Sequence, residues 1–332
     1  MKAIVSKHVG GPETLVLEDV AAPQPGPDEV CLRVRACGVN YPDTLLITDK
    51  YQIKPERPFS PGGEVAGEVD AVGSAVEGLK AGDKVIALVG WGGMAEKVVT
   101  KAAKCLPMPS AMPFDEAAAF IFTYGTSYHA LKQRADLRAG ETLLVLGAAG
   151  GVGLAAVELG AAMGARVIAA ASTQEKVDLA LAKGATAGVV YPTGALDKSA
   201  SKALAGEFKQ VTGKAGAGVV YDAVGGDYAE AALRAVAWGG RFLVIGFPAG
   251  IPSIPLNLPL LKGCAIVGVF WGSFAEHDPA ASQQNGRELV EMYAAGKIRP
   301  HVSERYALAD GGKAISELTE RRVLGKVVVT ID

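Results

Sequence analysis

The sequence predicts a two-part α/β protein in which a doubly wound parallel sheet is combined with a strand-rich domain. Three observations predict it. The first 120 residues read as short strands that alternate apolar and polar side chains between Gly and Pro turns. The texture changes near Pro113, where Asp115-Glu-Ala-Ala-Ala-Phe-Ile begins a helical stretch with its acids in the first turn. From Glu141 a cycle of apolar strand, Gly-rich turn, helix and strand repeats. At 332 residues, 49% hydrophobic and 20% charged, the chain can bury the cores of two ordinary domains.

Each element follows from its local pattern. Glu29-Val-Cys-Leu-Arg-Val-Arg-Ala36 alternates as a half-buried strand does, and Gly63–Gly73 repeats that texture. Pro23, Pro25 and Pro27 mark a loop, because proline cannot serve a central ladder. Thr142-Leu-Leu-Val-Leu146 is the continuous apolar run of a parallel strand covered on both faces. Leu154–Met163 follows as a helix and Arg166–Ala171 as the next strand. Gly188–Tyr191, Gly218–Asp222 and Arg241–Gly246 supply three more, then Ala265–Phe270, a helix around 286–295, and a last strand Lys326–Ile331. The expected division is 1–122 with 265–332 for the strand-rich domain and 123–264 for the doubly wound one.

Charge and cysteine usage exclude several classes. A net charge of −2 gives no electrostatic reason to expect nucleic acid or an anionic membrane as partner. The apolar runs are broken well short of a membrane span, and Met1–His8 reads as a first strand and not as a signal peptide, so the cytoplasm is the expected address. Cys31, Cys37, Cys105 and Cys264 are too scattered to write a local zinc or redox pair, and the four histidines are equally dispersed.

Gly147-Ala-Ala-Gly-Gly-Val-Gly153 sits between a strand and a helix, the context in which a glycine motif cradles a dinucleotide pyrophosphate at a helix N-terminus. Gly150, Gly151, Val152 and Gly153 are therefore expected to bind the cofactor: a side chain at Gly150 or Gly151 would push the ligand away, and Gly153 lets the helix pack on the sheet. Ala148 departs from the strict G-x-G-x-x-G pattern. After the second strand the chain reads Ala171-Ser-Thr-Gln-Glu-Lys176, without the acid that holds a ribose 2′-hydroxyl. Hydroxyls at Ser172 and Thr173 and the cation of Lys176 suit a 2′-phosphate, so the expected cofactor is NADPH.

Several motifs in order then carry a resemblance over nearly the whole chain: Ala36-Cys-Gly-Val-Asn-Tyr-Pro-Asp43, Pro61-Gly-Gly-Glu-Val-Ala-Gly67, the glycine turn, Asp222-Ala-Val-Gly-Gly226 and Gly325-Lys326. The chain resembles the medium-chain dehydrogenase/reductase superfamily, in particular its zinc-free quinone oxidoreductase (zeta-crystallin-like) branch. The resemblance implies a Rossmann domain inserted in a GroES-like catalytic domain. Zinc alcohol dehydrogenases carry Cys where Asn40 stands and His where Gly63 stands, and only Glu64 of that cluster survives, so no metal site is expected. Without a Lewis acid the expected acceptors are already electrophilic: quinones, or enones and enoyl groups as the alternative.

The resemblance further implies that Asn40, Asp43 and Tyr51 lie on the substrate side. Asn40 would donate to a developing oxyanion and Tyr51 would supply a proton; Asp43 would serve the site or brace a turn. Thr126 would pack by the nicotinamide, Tyr191 flank the adenosine phosphate, and Lys326 stand near the cofactor. Phe247 to Gly250 and Phe270-Trp271-Gly272 would run along the nicotinamide half. Ala265–Phe270 is where relatives pair two nucleotide domains, implying a homodimer. A different class, a non-enzymatic NADPH-binding or RNA-binding protein, is weakened by the missing basic stripe.

Overall fold

The computed structural model describes residues 1–320 and 323–332. In chain order the strands are β1 Lys2–Val5, β2 Val16–Asp19, β3 Glu29–Val39, β4 Glu64–Val72, β5 Lys84–Leu88, β6 Lys97–Lys101 and β7 Cys105–Pro107. They continue as β8 Thr142–Leu146, β9 Arg166–Ala171, β10 Ala187–Val190, β11 Ala217–Asp222, β12 Val236–Val244 and β13 Ala265–Gly268, and end with β14 Val302–Ala307 and β15 Lys326–Thr330. Two compact units result: Met1–Phe122 with Gly286–Ala294 and Arg299–Asp332, and Thr123–Asn285 with Ala295–Ile298.

The first unit is built on a seven-stranded sheet in the order β14-β15-β3-β4-β5-β7, with β6 also on β3. Its spine is β3, whose eleven residues pair with β6 through their first half and with β15 through their second. Alternating inward residues such as Val30, Leu32, Val34, Val65, Val69, Val85, Val327 and Val329 form one core. Register matters here. Val39 faces Val327 and Gly38 faces Glu64, so Lys326, Asn40 and Glu64 meet where the three strands end.

In the second unit six parallel strands run β10-β9-β8-β11-β12-β13. The order reverses at β8, and the carboxyl ends of strands at such a reversal form the crevice where α/β sheets take ligands. The apolar runs read from sequence are these buried strands: Leu143 to Leu146 and Val167 to Ala170 are all fully buried.

One expected boundary is corrected. The segment from residue 265, expected in the first domain, extends the parallel sheet because β13 pairs with β12 from Arg241–Ala265 to Val244–Gly268. The chain returns to the first unit only at Gly286. Among the described residues no helix is long and apolar enough to cross a membrane.

Gly38 shows how tightly the first unit closes around its polar centre. A Cβ there would stand 1.9 Å from the Ala118 carbonyl oxygen and 2.9 Å from Glu64 Oε2. Gly38→Ala is therefore expected to destabilise the protein by on the order of 3 kcal/mol, since backbone and a buried acid must both move. Thermal unfolding checks this, with a melting temperature lower by several degrees as the expected result.

Candidate active site

The first unit gathers four polar side chains that are all buried: Asn40, Asp43, Glu64 and Lys326. Lys326 Nζ donates to Asn40 Oδ1 at 2.5 Å, to the Val39 carbonyl at 3.1 Å and to Glu64 Oε2 at 3.3 Å. Three acceptors meet three ammonium hydrogens. Asn40 Nδ2 in turn donates to Glu64 Oε2 at 3.0 Å and to the Gly38 carbonyl at 3.3 Å, while Glu64 Oε1 accepts from Phe122 N at 2.8 Å. A buried charge without such partners would cost several kcal/mol, so the cluster stands or falls as a unit.

Asp43 braces the chain around it. It lies in the first turn of helix Tyr41–Ile47, and its Oδ2 reaches back to accept from Asn40 N at 2.8 Å. Its Oδ1 accepts from Gly62 N at 3.0 Å. This is the reciprocal half of an N-terminal capping arrangement, and it fixes the 60s loop to the helix. Burial pushes the Asp43 carboxyl up to about 6, against the downward pull of the two N–H groups and Lys326. Tyr51 is partly exposed and packs on the edge of the core; burial first, then the charge of Asp43, raises its hydroxyl.

These contacts bear on the expected roles. The sequence reading has Asn40 donating to substrate, yet both of its amide hydrogens are directed at Gly38 and Glu64. It also puts Lys326 at the cofactor, yet the ammonium is turned inward on three protein acceptors. Of the three residues expected on the substrate side, Tyr51 alone keeps partly exposed surface.

In the second unit the turn Gly147–Gly150 carries β8 into helix Gly151–Ala162, whose N-cap is Gly150. The fold itself requires Gly153, because a Cβ there would meet the Gly147 carbonyl at 2.1 Å. Gly150 has room on the protein side, its nearest atom lying at 3.5 Å, so any demand for glycine there comes from outside the chain. Val152 is held by its carbonyl, which accepts from Ser127 Oγ at 2.8 Å; Ser127 also meets Tyr221 Oη at 2.9 Å.

Past β9, Thr173 caps helix Gln174–Ala182 by accepting from Lys176 N, and Lys176 Nζ donates to Ser172 Oγ at 3.4 Å. Hydroxyl and ammonium thus converge just past β9, where no acid stands at the strand end and the first carboxylate is Glu175 in the helix. Tyr191 is buried against Tyr228, ring centroids 4.9 Å apart, and Tyr228 Oη ties down the carbonyls of Pro192 and Gly194. Trp271 is also buried and lies on Gly125, where a Cβ would meet its ring at 2.6 Å; Thr126 is the next residue, half-buried. Phe270 and Phe247 are exposed, and Gly250 adopts φ +106° in the loop after β12.

Comparison with known proteins decides the family. Residues 26–110 match the alcohol dehydrogenase GroES-like domain and residues 151–285 the zinc-binding dehydrogenase domain. A quinone oxidoreductase-like protein 2 homolog of Nematostella vectensis is 38% identical, covering 99% of this chain and 88% of that one. The quinone oxidoreductase of Pseudomonas aeruginosa is 36% identical over 99% of both chains. The chain belongs to the quinone oxidoreductase branch of the medium-chain dehydrogenase/reductase superfamily. Among solved members, Escherichia coli quinone oxidoreductase complexed with NADPH superposes with a TM-score of 0.90 at 28% identity, over 99% of this chain and 100% of that one. A mycobacterial protein complexed with NADPH gives 0.91 at 30% identity with the same coverage.

The zinc that the family description implies does not fit this donor set. Catalytic zinc takes three nitrogen, sulfur or carboxylate ligands. This quinone oxidoreductase-branch chain offers an amide at Asn40 and no side chain at Gly63, where a Cβ would begin 2.9 Å from the Gly90 carbonyl. The surviving acid, Glu64, is engaged by Lys326, Asn40 and Phe122. Among the described residues no three His, Cys, Asp or Glu side chains gather as a metal site. Sequence reasoning names Glu64 only as a survivor; its role as anchor had no local signal, because the partner lies 262 residues away. Ser127, Tyr221 and Asp222 are likewise assembled by the fold.

Asp222 ends β11 and accepts from Val224 N and Gly225 N, both at 2.9 Å. Burial pushes its carboxyl up from 3.8 to about 6. The native state therefore holds a proton in this window that the unfolded state releases. That contribution is fully present below about pH 4 and is lost as pH rises through about 6. Asp222→Asn keeps an acceptor and removes the titration. Its stability relative to wild type is expected to improve between about pH 4 and pH 7, by on the order of 1–3 kcal/mol. Parallel melts of both proteins across this range check it; a constant difference would show an ordinary carboxyl.

Proposed function

We propose that this chain is an NADPH-dependent quinone reductase that works without zinc. The observation that carries the metal-free reading is the donor set itself, an amide at Asn40 and bare backbone at Gly63 beside a Glu64 already neutralised by Lys326. NADPH is supported by the Ser172–Lys176 pair past a β9 end that carries no acid, and by the NADPH carried by the two solved relatives named above. When bound, the cofactor supplies a hydride; a quinone that gains this hydride and one proton becomes the hydroquinone. The chain's own residues then have to orient the acceptor, exclude water and supply that proton.

Tyr51 is the proposed hydrogen-bond donor to the acceptor oxygen, because it combines partial exposure with a hydroxyl kept protonated by burial and by the nearby Asp43 charge. Asn40 and Asp43 hold the loop and helix that frame it. Asn40 can donate an N–H hydrogen bond to substrate by giving up its longer bond, the 3.3 Å contact to Gly38. Such neutral donors suit acceptors that are already electrophilic and serve a strongly basic alkoxide poorly. Enones satisfy the same requirement, so double-bond reduction is the second reading within this chemistry.

The proposal extends to a homodimer. β13 is an edge strand, and exposed apolar side chains accompany it: Ile266 on the strand, Trp238 at 81% exposure, and Leu256, Leu260 and Leu261 in or beside helix Asn257–Lys262. A second copy would cover that edge.

The test is a turnover screen with NADPH against 1,4-benzoquinone, small enones, enoyl thioesters and ethanol with NADP+, with elemental analysis of the same protein. Quinone or enone reduction that survives a chelator, with no stoichiometric zinc, is expected. Brisk ethanol oxidation, or activity lost together with bound zinc, would overturn the reading.

Cofactor choice has its own test. A charge-assisted bond from Lys176 to a 2′-phosphate contributes roughly 1.5–3 kcal/mol, so Lys176→Ala is expected to raise KM for NADPH by about one to two decades. NADH kinetics should barely change. Equal losses for both cofactors would mean that Lys176 acts through its helix.

A further inference from the structure

The polar centre of the first unit holds a buried positive charge. Lys326 sits at the start of β15, its side chain 5% exposed and that of Glu64 not exposed at all. The sheet register delivers it: Val327 pairs with Val39, so the residue before Val327 meets the residue after Val39. Its three hydrogens meet Asn40 Oδ1, the Val39 carbonyl and Glu64 Oε2, three oxygens from two different strands and the turn between strand and helix.

We propose that Lys326 is a positioning residue whose ammonium holds Glu64 and fixes which way the Asn40 amide points. The geometry separates this from two plainer readings. A strand-start lysine would reach solvent, and one that grips a cofactor phosphate would reach a surface open to that ligand, whereas this side chain is buried. Here the amide orientation is dictated on both sides: Oδ1 must face the donor-only ammonium, which leaves Nδ2 facing Glu64 Oε2. Asp43 feels the same charge. The titratable groups around its carboxyl are Cys37 on β3, Tyr51 after the helix, Glu64 on β4 and Lys326 on β15, and Lys326 is the cation among those acting on it. Loss of that cation raises the Asp43 carboxyl further.

The test uses the full chain and the variant Lys326→Met, which keeps the length of the side chain and removes its charge. Three quantities are read: NADPH affinity by fluorescence titration, quinone turnover against pH, and melting temperature against pH. Affinity for NADPH is expected to stay within about threefold of wild type while kcat falls about tenfold or more, with the acid limb of the pH profile moved upward. The kinetic arm rests on the quinone-reductase reading; the stability arm does not. Without the ammonium the buried acids hold protons more tightly in the native state, so the variant's deficit in melting temperature is expected to widen as pH rises from about 5 to 8.

The double variant Lys326→Met/Glu64→Gln removes both members of the ion pair. It is expected to recover much of the stability lost by the single variant and to remain slow. An NADPH affinity reduced about tenfold with kcat unchanged would assign Lys326 to the cofactor and overturn the proposal. So would a deficit that does not depend on pH, or a double variant no better folded than the single one. A wild type that reduces neither quinones nor enones would sink the proposed function while leaving the stability arm to decide the role of Lys326.

Discussion

The arrangement of the first unit depends on one buried ion pair, Lys326 with Glu64, closed by the amide of Asn40. Two charges in a dry interior are tolerable only with near-complete hydrogen bonding, and every oxygen and hydrogen of the group that faces inward has a partner. Those partners come from β3, β4, β15 and the backbone of Phe122. A slip of any one strand by a residue would reverse its faces and strand a charge, so the pair fixes register as well as chemistry. Gly38 belongs to the same constraint, since only a residue without Cβ lets the Ala118 carbonyl approach β3 so closely.

This economy changes what the polar residues are free to do. Asp43 spends both oxygens on backbone N–H groups, and Asn40 spends both hydrogens on Glu64 and Gly38. Residues that look catalytic by type have their polar atoms engaged by the protein here, whereas Tyr51 is partly exposed and Tyr41 exposed. A frame of this kind supplies orientation and a low-dielectric surround, which suits an acceptor that needs positioning more than polarisation.

The second unit rests on a different constraint, close backbone approach at the sheet's reversal point. β8 delivers the Gly147–Gly150 turn and β9 delivers Ser172, Thr173 and Lys176 to neighbouring strand ends, as a dinucleotide's pyrophosphate and ribose require. Gly153 answers to the protein, which would otherwise clash with Gly147, whereas Gly150 answers to nothing within the chain. Tyr191, for which the resemblance implies a ligand contact, is buried on Tyr228, whose hydroxyl holds the carbonyls of Pro192 and Gly194.

Local pattern determined what local physics can determine. Period-two alternation in β3, continuous apolar runs in β8 and β9, and a glycine turn between strand and helix fix two sheet types and a dinucleotide motif without reference to distant residues. The absence of ligands at residues 40 and 63 is also written directly in the chain. The return to the first unit was not legible, because β13 looks the same whichever sheet it joins and only pairing with β12 decides. Nor could sequence say that Lys326 faces Asn40 across 286 residues, turning a strand-start lysine into the charge at the centre of the site. That contact exists only once β15 has paired with β3, since a side chain's partners in a sheet are set by register, and register is a property of the folded chain.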